Sequence, residues 1–316
     1  MALVTVNSAQ EWLARFGNTG KRAVVTIGNF DGVHRGHQKI LRSVVERSRK
    51  NGALATVLTF FPHPVRVLRP AAAPSLLATL DQRLAAFDAA GIDAVLVVQF
   101  DKTLSEMSAE EFAKRFLVDT LRAEAVLVGA NFRFGHKQMG DVKLLEEFGA
   151  RWDFEVEIVQ PVVDGGEVIS SSAIRQALRD GRVDDARRML GRPYALEGEI
   201  RPGTGQGRKL IVPTLNLATE QEMLPKTGVY ATEVIVGGKK YGAATNIGTR
   251  PTFDGKGITI ESHLFDFDEN LTSGGMEVRF LARLRDEQKF PSFEALREQV
   301  LKDIEAARIL YRQAAS

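Results

Sequence analysis

The chain changes rhythm once, near Gly191-Arg192-Pro193, and that change decides what it can fold into. Before it, short apolar runs at 23–28, 54–60, 94–100, 125–130 and 154–161 alternate with helical patterns. In 36–50, for example, Ile40, Leu41, Val44 and Val45 mark one face at helical spacing. Thr79 with Gln82, and Ser108 with Glu111, read as capping boxes that satisfy the exposed N–H groups of a first helical turn. Strands alternating with helices predict a parallel sheet covered on both faces, with ligands bound beyond the carboxyl ends of its strands. A helical pair over 171–180 and 182–190 closes this half, and Ala71-Ala72-Ala73 is expected to be loop.

After the change, Gly and Pro punctuate β-rich segments at 194–201, 228–236, 241–247, 258–267 and 276–285. Gly237-Gly238 sits between two alternating runs as a two-residue hairpin turn. Strands this short and this regularly spaced predict a small antiparallel barrel. A final helix carries Phe293, Leu296, Val300, Ile304 and Ala307 on one face, with Ser292 as N-cap. The expected fold class is therefore α/β plus all-β: a Rossmann-like domain over 1–190 and a barrel with its helix over 191–316.

Composition excludes several functions. The absence of cysteine removes disulfides, thiolate zinc sites and cysteine nucleophiles. A formal charge of +2 gives no basic field for nucleic acid or an anionic membrane. The first residues lack a basic start followed by a long apolar run, and no stretch approaches the ~20 apolar residues of a membrane span. A cytoplasmic chain is expected. No coiled coil or interface pattern sets an oligomeric state.

Residues 26–37 are the richest in chemistry. They leave a strand, cross a loop with Gly28, Asn29, Phe30, Asp31 and Gly32, and enter a helix past His34 and His37. Glycines admit a ligand close to the backbone, and the helix N-terminus favours phosphate. Two histidines three apart can face one ligand and donate where charge builds on phosphorus. A plain tight turn beside an accidental histidine pair is the bland alternative, and Asp31 reads equally as a phosphate-proximal acid or a turn residue. Farther on, Ser171, Ser172 and Arg175 stand at a serine-rich helix start. Alone this is ordinary capping, although an arginine there can also fork onto polyphosphate.

In the second half, residues 203–209 form a glycine-rich basic loop with Gly205, Gly207 and Lys209. It is not a Walker loop, because Leu-Ile-Val-Pro follows where a helix should start. Thr214 and Asn216 then place a hydroxyl and a carboxamide on one face of an extended strand, both hard oxygen donors suited to Mg²⁺. Glu261 shares a strand face with Thr259, His263 and Phe265. It is either a solvated carboxylate or, if it faces the Mg²⁺ donors, a general base.

Together these motifs resemble the HxGH nucleotidyltransferases, and more closely the bacterial bifunctional riboflavin kinase/FAD synthetases. The resemblance rests on Gly-Asn-Phe-Asp-Gly-Val-His-Arg-Gly-His at 28–37, Thr-Phe-Phe-Pro-His-Pro at 59–64, Val-Gly-Ala-Asn-Phe-Arg-Phe-Gly at 128–135 and Ile-Ser-Ser-Ser-Ala-Ile-Arg at 169–175. In the second half it rests on Pro-Thr-Leu-Asn at 213–216 and Glu-Ser-His-Leu-Phe-Asp-Phe at 261–267. It implies that 28–32, His34 and His37 hold ATP while Ser171, Ser172 and Arg175 close over its phosphates. Phe61, His63, Asn131 and Phe132 would lie near the nucleotide or flavin. It further implies that Gly205, Gly207, Lys209, Thr214 and Asn216 bind the kinase ATP with Mg²⁺, and that Glu261 is the base. Riboflavin, FMN and FAD are then substrates and products. Leu215 where the family has alanine, Ile211, and Thr272-Ser273 depart from the pattern. The competing reading is another HxGH transferase carrying a non-catalytic flavin-binding or regulatory barrel.

Overall fold

The structure, a computed structural model, describes residues 2–202, 212–252, 255–269 and 271–315. They form two compact units, 1–170 and 171–316.

The first unit is built on six parallel strands: β1 (Val4–Val6), β2 (Ala23–Ile27), β3 (Leu54–Phe61), β4 (Ala94–Gln99), β5 (Ala123–Gly129) and β6 (Glu155–Val159). Their order across the sheet is β1-β4-β3-β2-β5-β6. The helices are α1 (Ala9–Phe16), α2 (Arg35–Asn51), α3 (Pro64–Leu68), α4 (Leu80–Ala89), α5 (Lys102–Glu106), α6 (Ala109–Phe112) and α7 (Val142–Trp152). A π-helical stretch, Ala113–Thr120, continues α6. Both expected capping boxes are formed, by Thr79 with Gln82 and by Ser108 with Glu111. Central strand residues alternate between two cores. Val25, Ile27 and Val126 pack with Trp12, Phe116 and Phe148, while Val24, Val57 and Leu127 pack with Leu41, Val44 and Phe87. Burial on both faces is why these strands read as continuous apolar runs. Residues 70–72 form one 3₁₀ turn rather than plain loop. A short hairpin of β7 (Val163–Asp164) and β8 (Glu167–Val168) ends the unit.

The chain runs outward from β2 in opposite directions: through β3 and β4 on one side, through β5 and β6 on the other. The crevice between the carboxyl ends of β2 and β5 is thus the switch point where open parallel sheets bind ligands.

The second unit opens with α8 (Ser171–Arg179) and α9 (Val183–Leu190). Six antiparallel strands follow: β9 (Tyr194–Arg201), β10 (Leu215–Ala218), β11 (Gly228–Val236), β12 (Lys239–Thr252), β13 (Gly255–Leu264) and β14 (Gly275–Arg285). They close into a barrel in the order β10-β13-β12-β11-β14-β9. Gly237 and Gly238 both have positive φ, as the two-residue hairpin between β11 and β12 requires. The long helix α10 (Phe293–Ala315) covers one side, with Ala307 against Ala231 and Phe265. Ser292 Oγ accepts from Ala295 N–H at 3.2 Å, which caps its start.

Candidate active sites on the sheet and the barrel

On the sheet, β2 delivers the chain into a loop with Phe30, Gly32 and Val33 at positive φ, and then into α2. His34 is the N-cap of α2 and its Nδ1 accepts from the His37 N–H at 3.4 Å. A ring nitrogen that accepts is bare, so neutral His34 carries its proton on Nε2. The two rings stack, with centroids 3.7 Å apart. His37 Nδ1 is enclosed without a hydrogen-bond partner, as are Thr26 Oγ1 and Asn29 Oδ1 in the same strand–loop–helix segment. Burial, and then the neighbouring His34, hold the His37 pKa well below the usual imidazole range. Stranded polar atoms are rare in native interiors, so this clustering marks a place where a ligand completes the bonding.

Asp31 is turned inward. Its carboxylate accepts from the backbone N–H groups of Leu77 and Ala78 at 3.0–3.1 Å, tying the loop to the segment before α4. Sequence reasoning missed Arg83 on α4, whose Nη1 donates to the Asn29 carbonyl at 2.8 Å. Only a regular helical pattern surrounds it, so no sequence signal singled it out. Phe61 ends β3 and is exposed, while His63 caps α3 by accepting from Val65 N–H at 3.3 Å. Asn131 and Phe132 follow β5, where Phe132 stacks on Phe134 at 5.4 Å. The turns after β2, β3 and β5 therefore bring 28–37, Phe61, His63, Asn131 and Phe132 to one end of the sheet. Ser171, Ser172 and Arg175 lie in the second unit, in the first turns of α8, with Arg175 buried among its neighbours.

On the barrel, Gly205, Gly207 and Lys209 lie outside the described residues, as does Ile211. Thr214 immediately precedes β10, and Asn216 lies opposite Glu261 on β13. Glu261 in turn lies opposite Asn246 on β12. Directly opposed residues share a sheet face, so the outer surface of the barrel carries a row Asn216–Glu261–Asn246, with Thr214 two residues before Asn216. Leu215 is buried toward the barrel interior, so this departure fills core and leaves the row intact. Thr272 and Ser273 sit in an exposed turn.

Thr214, Asn246, Glu261 and His263 line a cavity of about 420 Å³, of the size that takes small-molecule ligands. Phe290, with Leu296, Val300 and Ile304 of α10, adds apolar lining beside the polar Arg285, Glu287, Gln288 and Asp303. Two further side chains shape it. His263 Nδ1 bonds the Pro213 carbonyl at 2.9 Å, holding the segment that carries Thr214. Arg285 forks onto Asp303 at 2.7 and 3.0 Å, fixing α10 against the end of β14. The donor set fits Mg²⁺ brought by a nucleotide. Thr214 and Asn216 offer neutral hard oxygens, while among the described residues no group of three carboxylate, histidine or cysteine side chains could hold a metal alone.

A parallel sheet with paired histidines at a helix entrance, joined to a closed barrel with a Thr/Asn/Glu row, has the form of a two-site nucleotide-using transferase. A profile of the FAD synthetase family matches residues 18–173 and a riboflavin kinase profile matches 190–311. The bifunctional riboflavin kinase/FMN adenylyltransferase of Pseudomonas fluorescens is 40% identical over 288 residues, 91% of this chain and 92% of that one. The chain belongs to this bifunctional riboflavin kinase/FMN adenylyltransferase family. The Escherichia coli K12 protein of the same description is 38% identical over 286 residues, covering 90% and 91%. A crystal structure described as a macrolide-efflux protein from Streptococcus pneumoniae superposes with a TM-score of 0.86 at 29% identity, covering 98% of this chain and 99% of that one. In the present chain no helix among the described residues is long and apolar enough to cross a membrane.

Proposed function

We infer that the chain carries out both reactions of its family in the cytoplasm, where ATP is supplied. The barrel phosphorylates riboflavin to FMN, and the sheet unit adenylylates FMN to FAD with release of pyrophosphate. The observation that carries the reading is the presence of two different polar constellations in one chain: the stacked histidine pair with its stranded atoms, and the Thr214/Asn216/Glu261 row beside a ligand-sized cavity that Thr214 and Glu261 line.

At the barrel, the flat tricyclic flavin suits the apolar lining of Phe290, Leu296, Val300 and Ile304, and its ribityl chain then reaches the polar end. Glu261 takes the proton of the 5′-hydroxyl as that oxygen attacks the γ-phosphorus of ATP, and ADP leaves. Thr214 and Asn216 would hold the Mg²⁺ that accompanies ATP, which would supply neutralisation of the phosphate charge.

At the sheet, the FMN phosphate is the nucleophile and no covalent enzyme intermediate is needed. Its oxygen forms a bond to the α-phosphorus while the bond to the pyrophosphate oxygen breaks in line. The protein orients both partners and stabilises charge. Backbone N–H groups of 28–34 and the rings of His34 and His37 are the donors within the sheet unit. Neutral His37 donates a hydrogen bond without costing a buried charge.

The test is a time course with riboflavin and Mg-ATP, resolving FMN and FAD by chromatography. FMN should rise first and FAD follow. FAD made from supplied FMN, but no FMN from riboflavin, would leave a transferase with a non-catalytic barrel and end the bifunctional reading. Arg175→Ala should slow FAD formation about a hundredfold, the usual cost of one transition-state electrostatic contact, and spare FMN formation.

A further inference from the structure

We propose that Arg83 is a positioning residue for adenylylation, holding the nucleotide loop 28–31 from beneath in the shape that receives ATP. The inference rests on the reading of the sheet unit as the FMN adenylyltransferase. Arg83 is only 5% exposed, although it lies on α4 and in no recognisable motif. Its Nη1 donates to the Asn29 carbonyl at 2.8 Å and lies 3.4 Å from Thr59 Oγ1 within β3, so one guanidinium bridges the loop after β2 and the neighbouring strand. Burial lowers its pKa and the charge of Asp31 works the other way, so the nearby carboxylate helps keep the cation buried.

The same stretch of chain grips the loop at two further points. Asp31 takes the Leu77 and Ala78 N–H groups, and Phe30 packs edge-on against Phe87 of α4 with centroids 5.5 Å apart. The grip has a purpose. Phe30 stands at φ 50, a conformation that a non-glycine residue keeps only when its surroundings impose it. Phe30 also sets its ring edge against His37, with centroids 5.1 Å apart. A displaced Asn29–Asp31 backbone would therefore misplace both the loop N–H groups and His37. Arg83 touches neither phosphate nor flavin in this account; it acts through Asn29 and Phe30.

The full-length R83M variant, assayed for FAD formation from supplied FMN, should show a KM for ATP raised about tenfold, the lower end of what a charge-assisted hydrogen bond contributes. The KM for FMN and the rate of riboflavin phosphorylation should stay at wild-type values. R83K keeps the charge and three donors, but its amine falls one bond short of the Nη1 position, so its ATP KM should rise about threefold, a fraction of that hydrogen-bond contribution. A merely structural residue would behave differently, because destabilisation lowers the amount of active enzyme and leaves the ATP KM of the folded molecules unchanged. Wild-type ATP KM in R83M overturns the proposal; if R83M does not fold, wild-type ATP KM in R83K does so. A wild-type protein that makes no FAD from FMN and ATP instead overturns the adenylyltransferase reading beneath it, so the two failures are distinct.

Discussion

Desolvation, and then the neighbouring His34, hold the His37 pKa well below the usual imidazole range, and this has a consequence for stability. In the unfolded chain an imidazole takes up a proton below a pH of about 6.5; in the fold, His37 resists until well lower pH. Acid therefore favours the unfolded state, and stability is lost as pH falls through the unfolded pKa. Urea unfolding of the sheet unit should show a contribution from this group of at most ~1.4 kcal/mol per pH unit between about pH 6.5 and 5.5, removed in His37→Gln. An identical pH dependence in the variant would mean that another group sets the slope. Glu261→Gln tests the second site: it keeps size and cannot take the proton, so FMN formation should fall by roughly 10² to 10⁴ with FMN adenylylation intact. A folded variant with normal kinase rate would leave Glu261 a structural carboxylate. At this scale the sequence exposed residues whose spacing is itself chemical, such as His34 with His37 and Thr214 with Asn216. It hid Arg83 and Asp303, whose roles come from partners 54 and 18 positions away. Asp31, open between two roles in sequence, proved to face the backbone of Leu77 and Ala78.

At the scale of elements, the five apolar runs of the first half are strands because a doubly covered sheet wants apolar side chains on both faces. The misses have the opposite cause. β1 is a three-residue edge strand and α1 buries Trp12 alone, so neither leaves a long periodic trace, whereas α7 buries Val142, Leu145, Phe148 and Gly149 at helical spacing, a legible pattern. In the barrel, alternation placed Glu261 on the outer face, but pairing register was invisible until β10, β12 and β13 lay side by side. Register decides everything here, since a slip by one residue would turn Glu261 into the core. Inside the barrel Thr245 Oγ1 bonds Thr232 Oγ1 at 2.7 Å and Ser262 Oγ at 2.8 Å, all three buried. This hydroxyl chain ties β11, β12 and β13 at the residues next to Asn246 and Glu261. Thr245→Val keeps the shape and removes the link, leaving two buried hydroxyls short of a partner. Denaturant titration should show the barrel destabilised by about 1–3 kcal/mol. No loss of stability would mean that strand pairing alone fixes the register.

At the scale of the whole molecule, the helix pair α8–α9 belongs to the unit of the barrel. The sequence rhythm changes at residue 191, and the two family profiles leave 174–189 between them. Yet the compact unit that holds the barrel begins at Ser171. The reason is packing within that unit. Lys226 N–H donates to the Leu178 carbonyl at 2.9 Å, and Gly181, at φ 78, lies so close to the Arg283 side chain that a Cβ would sit 2.6 Å from its Cδ. Val183, Ala186 and Leu190 of α9 are buried as well. A fragment of 191–316 should therefore fold around its own barrel and make FMN from riboflavin and Mg-ATP, but melt earlier than a fragment of 171–316. The deficit should be about 5–10 °C, corresponding to the loss of one or two kcal/mol in a domain of this size. Neither fragment should make FAD. The complementary 1–190 fragment retains His34, His37, Ser171, Ser172 and Arg175 but strips α8 and α9 of their barrel partners, so it should convert supplied FMN to FAD only weakly. Thermal melts and product chromatography on the three fragments separate the possibilities. Equal melting of 171–316 and 191–316 would show that the helices add nothing to the barrel. A folded 171–316 fragment that yields no FMN would show that the barrel, for all its Thr214–Asn216–Glu261 row, is not a kinase by itself.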